Sequence, residues 1–281
     1  MITIICGKPR VGKTALNTHF ALQSLLKDGS RRLKRCVAEI NSFNTERRSN
    51  KLLIPDKPPI YTNYDANFKI GYKKSISPIW VNPFYIGLPN DNMPVQFILP
   101  YGELHITEGQ RYWDSRESAS LPDHVSRWFE THGHFFLDIY IDVQRAKLID
   151  KNIRALANKI IEVQRMVHVR DAYGRILRTM WYCREFASSA EYETYADGGY
   201  APYKTTHYVH EGNIFDSYNS RSCKGGFVPT MTDNFTILKQ ANETNIQALP
   251  EELKKFYSSN MPKEFRAAKR KPPSTTNENT A

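Results

Sequence analysis

Cysteine is scarce in this sequence, with four in 281 residues (Cys6, Cys36, Cys183 and Cys223). They stand far apart, and no CxxC or Cys/His cluster occurs, so neither a zinc site nor a disulfide framework is expected. A reducing, cytosolic setting follows as the default. Long apolar runs are also lacking. A membrane-spanning helix needs roughly 18 such residues, and the best stretch, residues 135–143, is broken by Asp138 and Asp142. Met1 leads directly into an apolar run with no basic segment before it, so no secretory signal is read. No internal repeat is evident. At about 150 residues per domain, the length suits one large domain or two modest ones.

Positive charge is in excess. Lys and Arg number 39 against 29 Asp and Glu, a net +10. That balance favours anionic partners: nucleotide, nucleic acid or an anionic membrane surface. The basic residues fall in separate clusters, such as Arg31, Arg32, Lys34, Arg35 and later Lys263, Arg266, Lys269, Arg270, Lys271. Aromatics are not regularly interleaved with them, so base-specific reading of nucleic acid is unsupported.

Periodicity predicts an α/β fold. Residues 2–6 are continuously apolar and β-branched except at the Cys end, the habit of a strand buried on both faces. A glycine-bearing loop and an amphipathic helix over 15–27 follow, with a stop near Gly29. Strands are expected at 36–40, 60–64, 95–99, 104–107 and 137–143. Residues 41–60 read as mainly loop, and 67–92 as an irregular insertion. Helices are expected at 123–132, where Val125, Trp128, Phe129 and His132 share a face, and at 146–155. The alternation implies a mostly parallel sheet flanked by helices. After residue 158 the pattern changes to a β-hairpin, 160–169 and 175–186, joined through Asp171 and Gly174. The expected organisation is a nucleotide-binding core over 1–157, a β-rich extension of the same domain over 158–240, a short helical segment over 241–265 and a disordered basic, polar tail over 266–281.

The clearest motif is Gly7-Lys8-Pro9-Arg10-Val11-Gly12-Lys13-Thr14. It fits G-x-x-x-x-G-K-[ST] and stands between a buried-strand run and an amphipathic helix, the context that motif requires. Gly7 and Gly12 let the backbone turn where a Cβ would clash. Successive N–H groups and the helix N-terminus then face one anion. Lys13 is expected to reach the β- and γ-phosphates and the Thr14 hydroxyl to ligate Mg²⁺. The expected fold class is therefore a P-loop NTPase with ATP and Mg²⁺ as cofactors.

Such a site needs an acid at the end of another strand. Glu108 directly follows the apolar stretch Leu104-His105-Ile106-Thr107, so it should emerge beside the phosphates and polarise water. Thr107 occupies the position where a metal-binding Asp usually stands; a hydroxyl still holds a metal-bound water, more weakly. Gln144 ends the next strand and is a candidate for sensing the γ-phosphate or orienting water. Arg111, Arg127, Arg145 and Arg154 are the candidates for an arginine finger.

These residues, in this order, resemble the zonula occludens toxin (Zot) amino-terminal domain family, which includes filamentous-phage assembly ATPases. The resemblance runs from Met1 to about Ser220. It rests on Ile2–Gly7 with the P-loop, on Ile60-Tyr61-Thr62-Asn63, on the stretch from Leu99 to Ile161, and on Phe215-Asp216-Ser217-Tyr218. Three departures stand out: Thr107 in place of a strand-end Asp, Gly133 where the family tends to carry Arg, and no spanning segment after this region. The resemblance implies an ATPase motor at the host inner membrane, working as a ring in which neighbouring subunits complete the site. Its implied partners are phage coat and secretion proteins and phage single-stranded DNA. Without a spanning helix, the chain is expected in the host cytoplasm, with a peripheral contact to anionic membrane through the basic cluster near its end. Two alternatives stay open: a nucleotide-binding switch or scaffold with little turnover, and a packaging or conjugation-type DNA motor.

Overall fold

The computed structural model describes residues 1–46, 52–70, 74–88, 95–96, 98–115 and 121–218. In chain order its elements are β1 (Ile2–Cys6), α1 (Lys13–Lys27), α2 (Gly29–Thr45), β2 (Ile60–Thr62), β3 (Phe68–Ile70), β4 (Lys74–Ile76), β5 (Ile79–Trp80), β6 (Glu103–Ile106), α3 (Asp123–Thr131), β7 (Asp138–Asp142), α4 (Lys151–Ala155), β8 (Lys159–Arg170), β9 (Ile176–Phe186), α5 (Ser189–Ala196) and β10 (Lys204–Glu211). The main sheet has eight strands in the order β10-β9-β8-β1-β7-β6-β2-β5. From β8 to β5 all neighbours run parallel, and β8, β9 and β10 pair antiparallel. The hairpin thus continues the sheet beside β1.

Period-2 alternation puts one set of side chains on each face of this sheet. Ile2, Ile4, Cys6, Leu104, Ile106, Ile139 and Ile141 join Val125, Trp128 and Phe129 of α3 and Ile153 of α4 in one core. Ile5, Ile161, Val163 and Trp181 pack on the other face against Ala15, Leu16, Ala21 and Leu22 of α1. β1 is buried at every position, which explains why its sequence is apolar except at Thr3, itself buried and β-branched.

Several expectations are corrected. Residues 36–40 form the middle of α2, not a strand, and the helix runs on to Thr45. Cys36 and Ile40 are its buried pair, four residues apart, with Phe43 partly buried beyond them. Gly29 begins this helix instead of merely stopping α1. The Asp28 N–H closes α1 on the Ser24 carbonyl at 2.9 Å, and the Asp28 carbonyl accepts the Arg32 N–H at 2.8 Å to open the next helix. Residues 95, 96, 98 and 99 belong to no strand. Residues 146–155 are a 3-10 turn (Ala146–Leu148) and then α4, because Asp150 caps a new helix by accepting the Asn152 N–H at 2.8 Å. Within 67–92 the described residues include the small sheet β3–β4 and the edge strand β5. α5 lies in a region where no helix was expected.

Among the described residues, no helix is long and apolar enough to cross a membrane. The expected segments 241–265 and 266–281 lie outside the described residues.

Candidate functional site

β1, β7 and β6 lie side by side and parallel, so their carboxyl ends open onto one edge of the sheet. The P-loop leaves β1 at that edge, and residues 107–108 and 143–144 leave β6 and β7 beside it. Together they border a cleft of about 460 Å³ lined by Pro9, Arg10, Gly12, Lys13, Thr14, Thr107, Glu108, Arg111 and Gln144, among others. The candidate catalytic residues Lys13, Glu108 and Gln144, and both candidate metal-binding threonines, are therefore on one cavity. Of the four candidate finger arginines, Arg111 lines it. Arg127 pairs with Asp123 at 3.1 Å on the surface, and Arg154 pairs with Glu193 at 2.6 Å; Arg145 is exposed.

The loop's conformation demands its glycines. Gly7 has φ +147° and Gly12 φ +86°. A Cβ on Gly7 would meet the Val163 carbonyl oxygen at 2.5 Å, and one on Gly12 would meet Met166 Sδ at 2.4 Å. Both obstacles belong to β8, so the hairpin wall and the loop are fitted to one another. Arg10 also has a positive φ, 66°, a conformation non-glycine residues hold only where surroundings impose it. The Gly7 N–H donates to the Gln144 carbonyl at 3.3 Å, tying the loop to the end of β7. The Lys13 ammonium donates to the Lys8 carbonyl at 3.1 Å, which folds the lysine back over the loop.

The β6 end is held by side chains from three directions. Asn63, just past β2, accepts the Thr107 N–H at 2.8 Å and donates to the Thr107 carbonyl at 3.0 Å. The Thr14 and Thr107 hydroxyls are 3.0 Å apart. Asp142, the last residue of β7, accepts the Thr107 hydroxyl at 3.2 Å and the Glu108 N–H at 3.1 Å. Glu108 itself has φ +53°, and its carboxylate accepts a hydrogen bond from the Gln110 amide. This left-handed turn aims the acid away from the line of the strand and into the cleft.

Two residues of this constellation carry no local sequence signal for their role. Asn63 was visible only as part of a Thr-Asn pair with no assigned task. In the sequence Asp142 is only a polar break in an apolar strand. Asp142 is fully buried. Burial, reinforced by the nearby Glu108 charge, pushes its carboxyl up to about 6, against the lowering influence of the Glu108 N–H, Lys13 and Thr107.

Among the described residues, no group of three or more His, Cys, Asp or Glu could hold a metal. The hydroxyl oxygens of Thr14 and Thr107, backed by the Asp142 carboxylate, instead suit a hard cation that keeps most of its ligands as water and phosphate, which is how Mg²⁺ is usually held.

The buried parallel sheet, the strand–loop–helix at its carboxyl edge and the two glycines with positive φ make this a P-loop NTPase fold. No protein-family model and no curated protein matches the sequence. Among solved structures the chain is similar to the N-terminal domain of zonular occludens toxin from Neisseria meningitidis, at 18% identity over 78% of this chain and 98% of that one, with a TM-score of 0.41. It is also similar to the genome packaging NTPase of Sulfolobus turreted icosahedral virus 2 in complex with ATP-gammaS, at 10% identity over 75% of this chain and 97% of that one, with a TM-score of 0.33.

Proposed function

We propose that this protein is an ATP-hydrolysing P-loop motor of the Zot type, driving assembly and extrusion of filamentous phage virions at the host inner membrane. One observation supports hydrolysis above simple binding: Glu108 and Gln144 border the same cleft as Lys13 and Thr14. In this reading the loop N–H groups and Lys13 hold the phosphates. Glu108 accepts a proton from the attacking water, and Gln144 orients that water. Thr14 and Thr107 would hold Mg²⁺, which when bound neutralises charge on the phosphate oxygens. Arg111, at the cleft edge, is the arginine to test for a role in neighbouring-subunit contacts within a ring. The sequence features quoted for the Zot family support the phage assignment, with coat and secretion proteins as partners.

The net charge of +10 favours a second reading, a packaging-type motor that tracks DNA. Turnover of purified protein with ATP and Mg²⁺, measured with and without single-stranded DNA across a salt series, tests both. Hydrolysis lost in Lys13→Ala is expected. A large DNA stimulation with a steep salt slope favours the packaging motor. No hydrolysis under any condition sinks both motor readings and leaves a nucleotide-binding switch.

A further inference from the structure

Asp142 is buried between two strands, and the reaction scheme above gives it no task. The β6–β7 register pairs Ile106 with Ile141, so the next residues along, Thr107 and Asp142, stand side by side. Both point to the face covered by α1, opposite to Ile106 and Ile141. Asp142 Oδ1 accepts the Thr107 hydroxyl and the Glu108 N–H. Its Oδ2 is buried without a hydrogen-bond partner, a costly state for a carboxylate. Structural need alone explains it poorly, since an asparagine or threonine would satisfy the same two donors at less desolvation cost.

The direction of the hydrogen bonds explains it better. An ionised carboxylate only accepts, and a threonine hydroxyl has one proton. Thr107 gives its proton to Asp142. The 3.0 Å bond between the two hydroxyls is then made by Thr14 donating to Thr107. Both protons run from the P-loop toward Asp142, which turns the remaining Thr14 lone pairs toward the phosphate cleft.

We infer that Asp142, acting through Thr107, supplies from β7 the negative charge that residue 107 does not carry on β6, and thereby sets the site's affinity for the divalent cation that accompanies the nucleotide. Asp142 is a positioning residue in this scheme. It touches neither nucleotide nor the attacking water; it polarises Thr107, orients Thr14 and holds the Glu108 backbone in its turn. The inference rests on the nucleotide reading of the cleft, and goes beyond it by locating the site's missing acid one strand away.

The test reads binding instead of turnover. A fluorescent ATP analogue is titrated into full-length protein in EDTA and in Mg²⁺, and the ratio of the two dissociation constants is the readout. Wild type should bind more tightly in Mg²⁺. Asp142→Asn should lose about tenfold of that gain, the scale on which partners of metal ligands act, with its affinity in EDTA unchanged. Thr107→Val, which cuts the relay and leaves Asp142 in place, should lose it as well, and Thr107→Ser should keep it. Thr107→Asp alone sets a second carboxylate against Asp142 and should not improve on wild type, whereas Thr107→Asp combined with Asp142→Asn should recover the Mg²⁺ gain. Thermal melts verify folding, and if Asp142→Asn does not fold, Thr107→Val against Thr107→Ser decides. Full Mg²⁺ gain in Thr107→Val or in folded Asp142→Asn overturns the inference alone. So does a wild type that binds the analogue equally in both buffers. A wild type that binds in neither buffer overturns the nucleotide reading and this inference with it.

Discussion

The Trp181 indole N–H donates to the Gly12 carbonyl across 3.0 Å, joining β9 to the last glycine of the P-loop 169 residues earlier in the chain. Trp181 is fully buried, and Met166 of β8 fills the space beside Gly12. The hairpin is therefore a wall that fixes the phosphate loop from behind. Trp181→Phe keeps an aromatic ring but removes the donor. The Gly12 carbonyl still accepts the Leu16 N–H at 2.9 Å, so the lost bond and the smaller ring should together cost about 1–2 kcal/mol. Denaturant melts should show that loss, and nucleotide affinity should fall as the loop loosens. Wild-type affinity in the variant would show that the wall does not shape the loop.

Lys13→Ala should abolish hydrolysis while leaving the fold intact. Lys13 is largely buried, yet its ammonium bonds to the Lys8 carbonyl within the loop and it borders the cleft. Its removal takes positive charge from the cleft, where the proposed phosphates would sit, without opening either core. Circular dichroism and phosphate release measured side by side check this, and turnover at the wild-type rate would remove the P-loop from the reaction.

Glu108→Gln should retain ATP and stop turning it over, because the amide preserves shape and cannot accept a proton from water. The Glu108 backbone N–H keeps its bond to Asp142 in this variant, so the left-handed turn should survive. Retained radiolabelled ATP and persistence of any ATP-dependent oligomer are the readouts. Normal phosphate release in Glu108→Gln would assign the base elsewhere.

The P-loop, β1, α1 and the hairpin were legible because each carries a local signal: a fixed glycine spacing, a short run apolar except at Thr3, an amphipathic helical period, or paired stretches rich in β-branched, aromatic and Arg residues across Asp171 and Gly174. The signal failed at residues 36–40. Cys36-Val37-Ala38-Glu39-Ile40 fits a short strand as well as a helix turn, and only the burial of Cys36 and Ile40 against Leu52 and Leu99 decides for the helix. Asp142 and Asn63 were illegible for a different reason. Their roles depend on which strands become neighbours, β7 beside β6 and β2 beside β6, and strand order is set by the packing of the whole sheet.

Between residues 254 and 271, Lys254, Lys255, Lys263, Arg266, Lys269, Arg270 and Lys271 face a single acid, Glu264. Each positive charge close to an anionic leaflet contributes about 1 kcal/mol. The full chain should float with anionic vesicles and not with neutral ones, and should be released by high salt and by deletion of residues 254–281. Equal binding to neutral vesicles, or none to either, rules the contact out.

Acid should weaken the fold through His19 of α1 and His210 of β10. His19 is 4% exposed, its Nδ1 lies 3.4 Å from that of His210, and its ring packs 5.4 Å from that of Trp181. One ring nitrogen must donate and the other accept, so the contact needs at least one neutral imidazole. Burial is the main cause that pushes His19 down to about 4, and the positive charges of His210 and Lys27 add to it. Burial also lowers His210, against the pull of Glu211. A folded-state value below the ordinary 6.5 means that the unfolded chain takes the proton first. Stability is then full above about pH 6.5 and falls as pH drops toward 4, the sign required when the unfolded state binds more protons. For His19 alone the loss by pH 5 is on the order of 2 kcal/mol. Urea melts at pH 7.5, 6 and 5 measure it. His19→Gln should flatten the profile over this window, because the amide still offers a donor and an acceptor to His210 and takes up no proton. A His19→Gln profile as steep as that of wild type would locate the acid sensitivity in other groups.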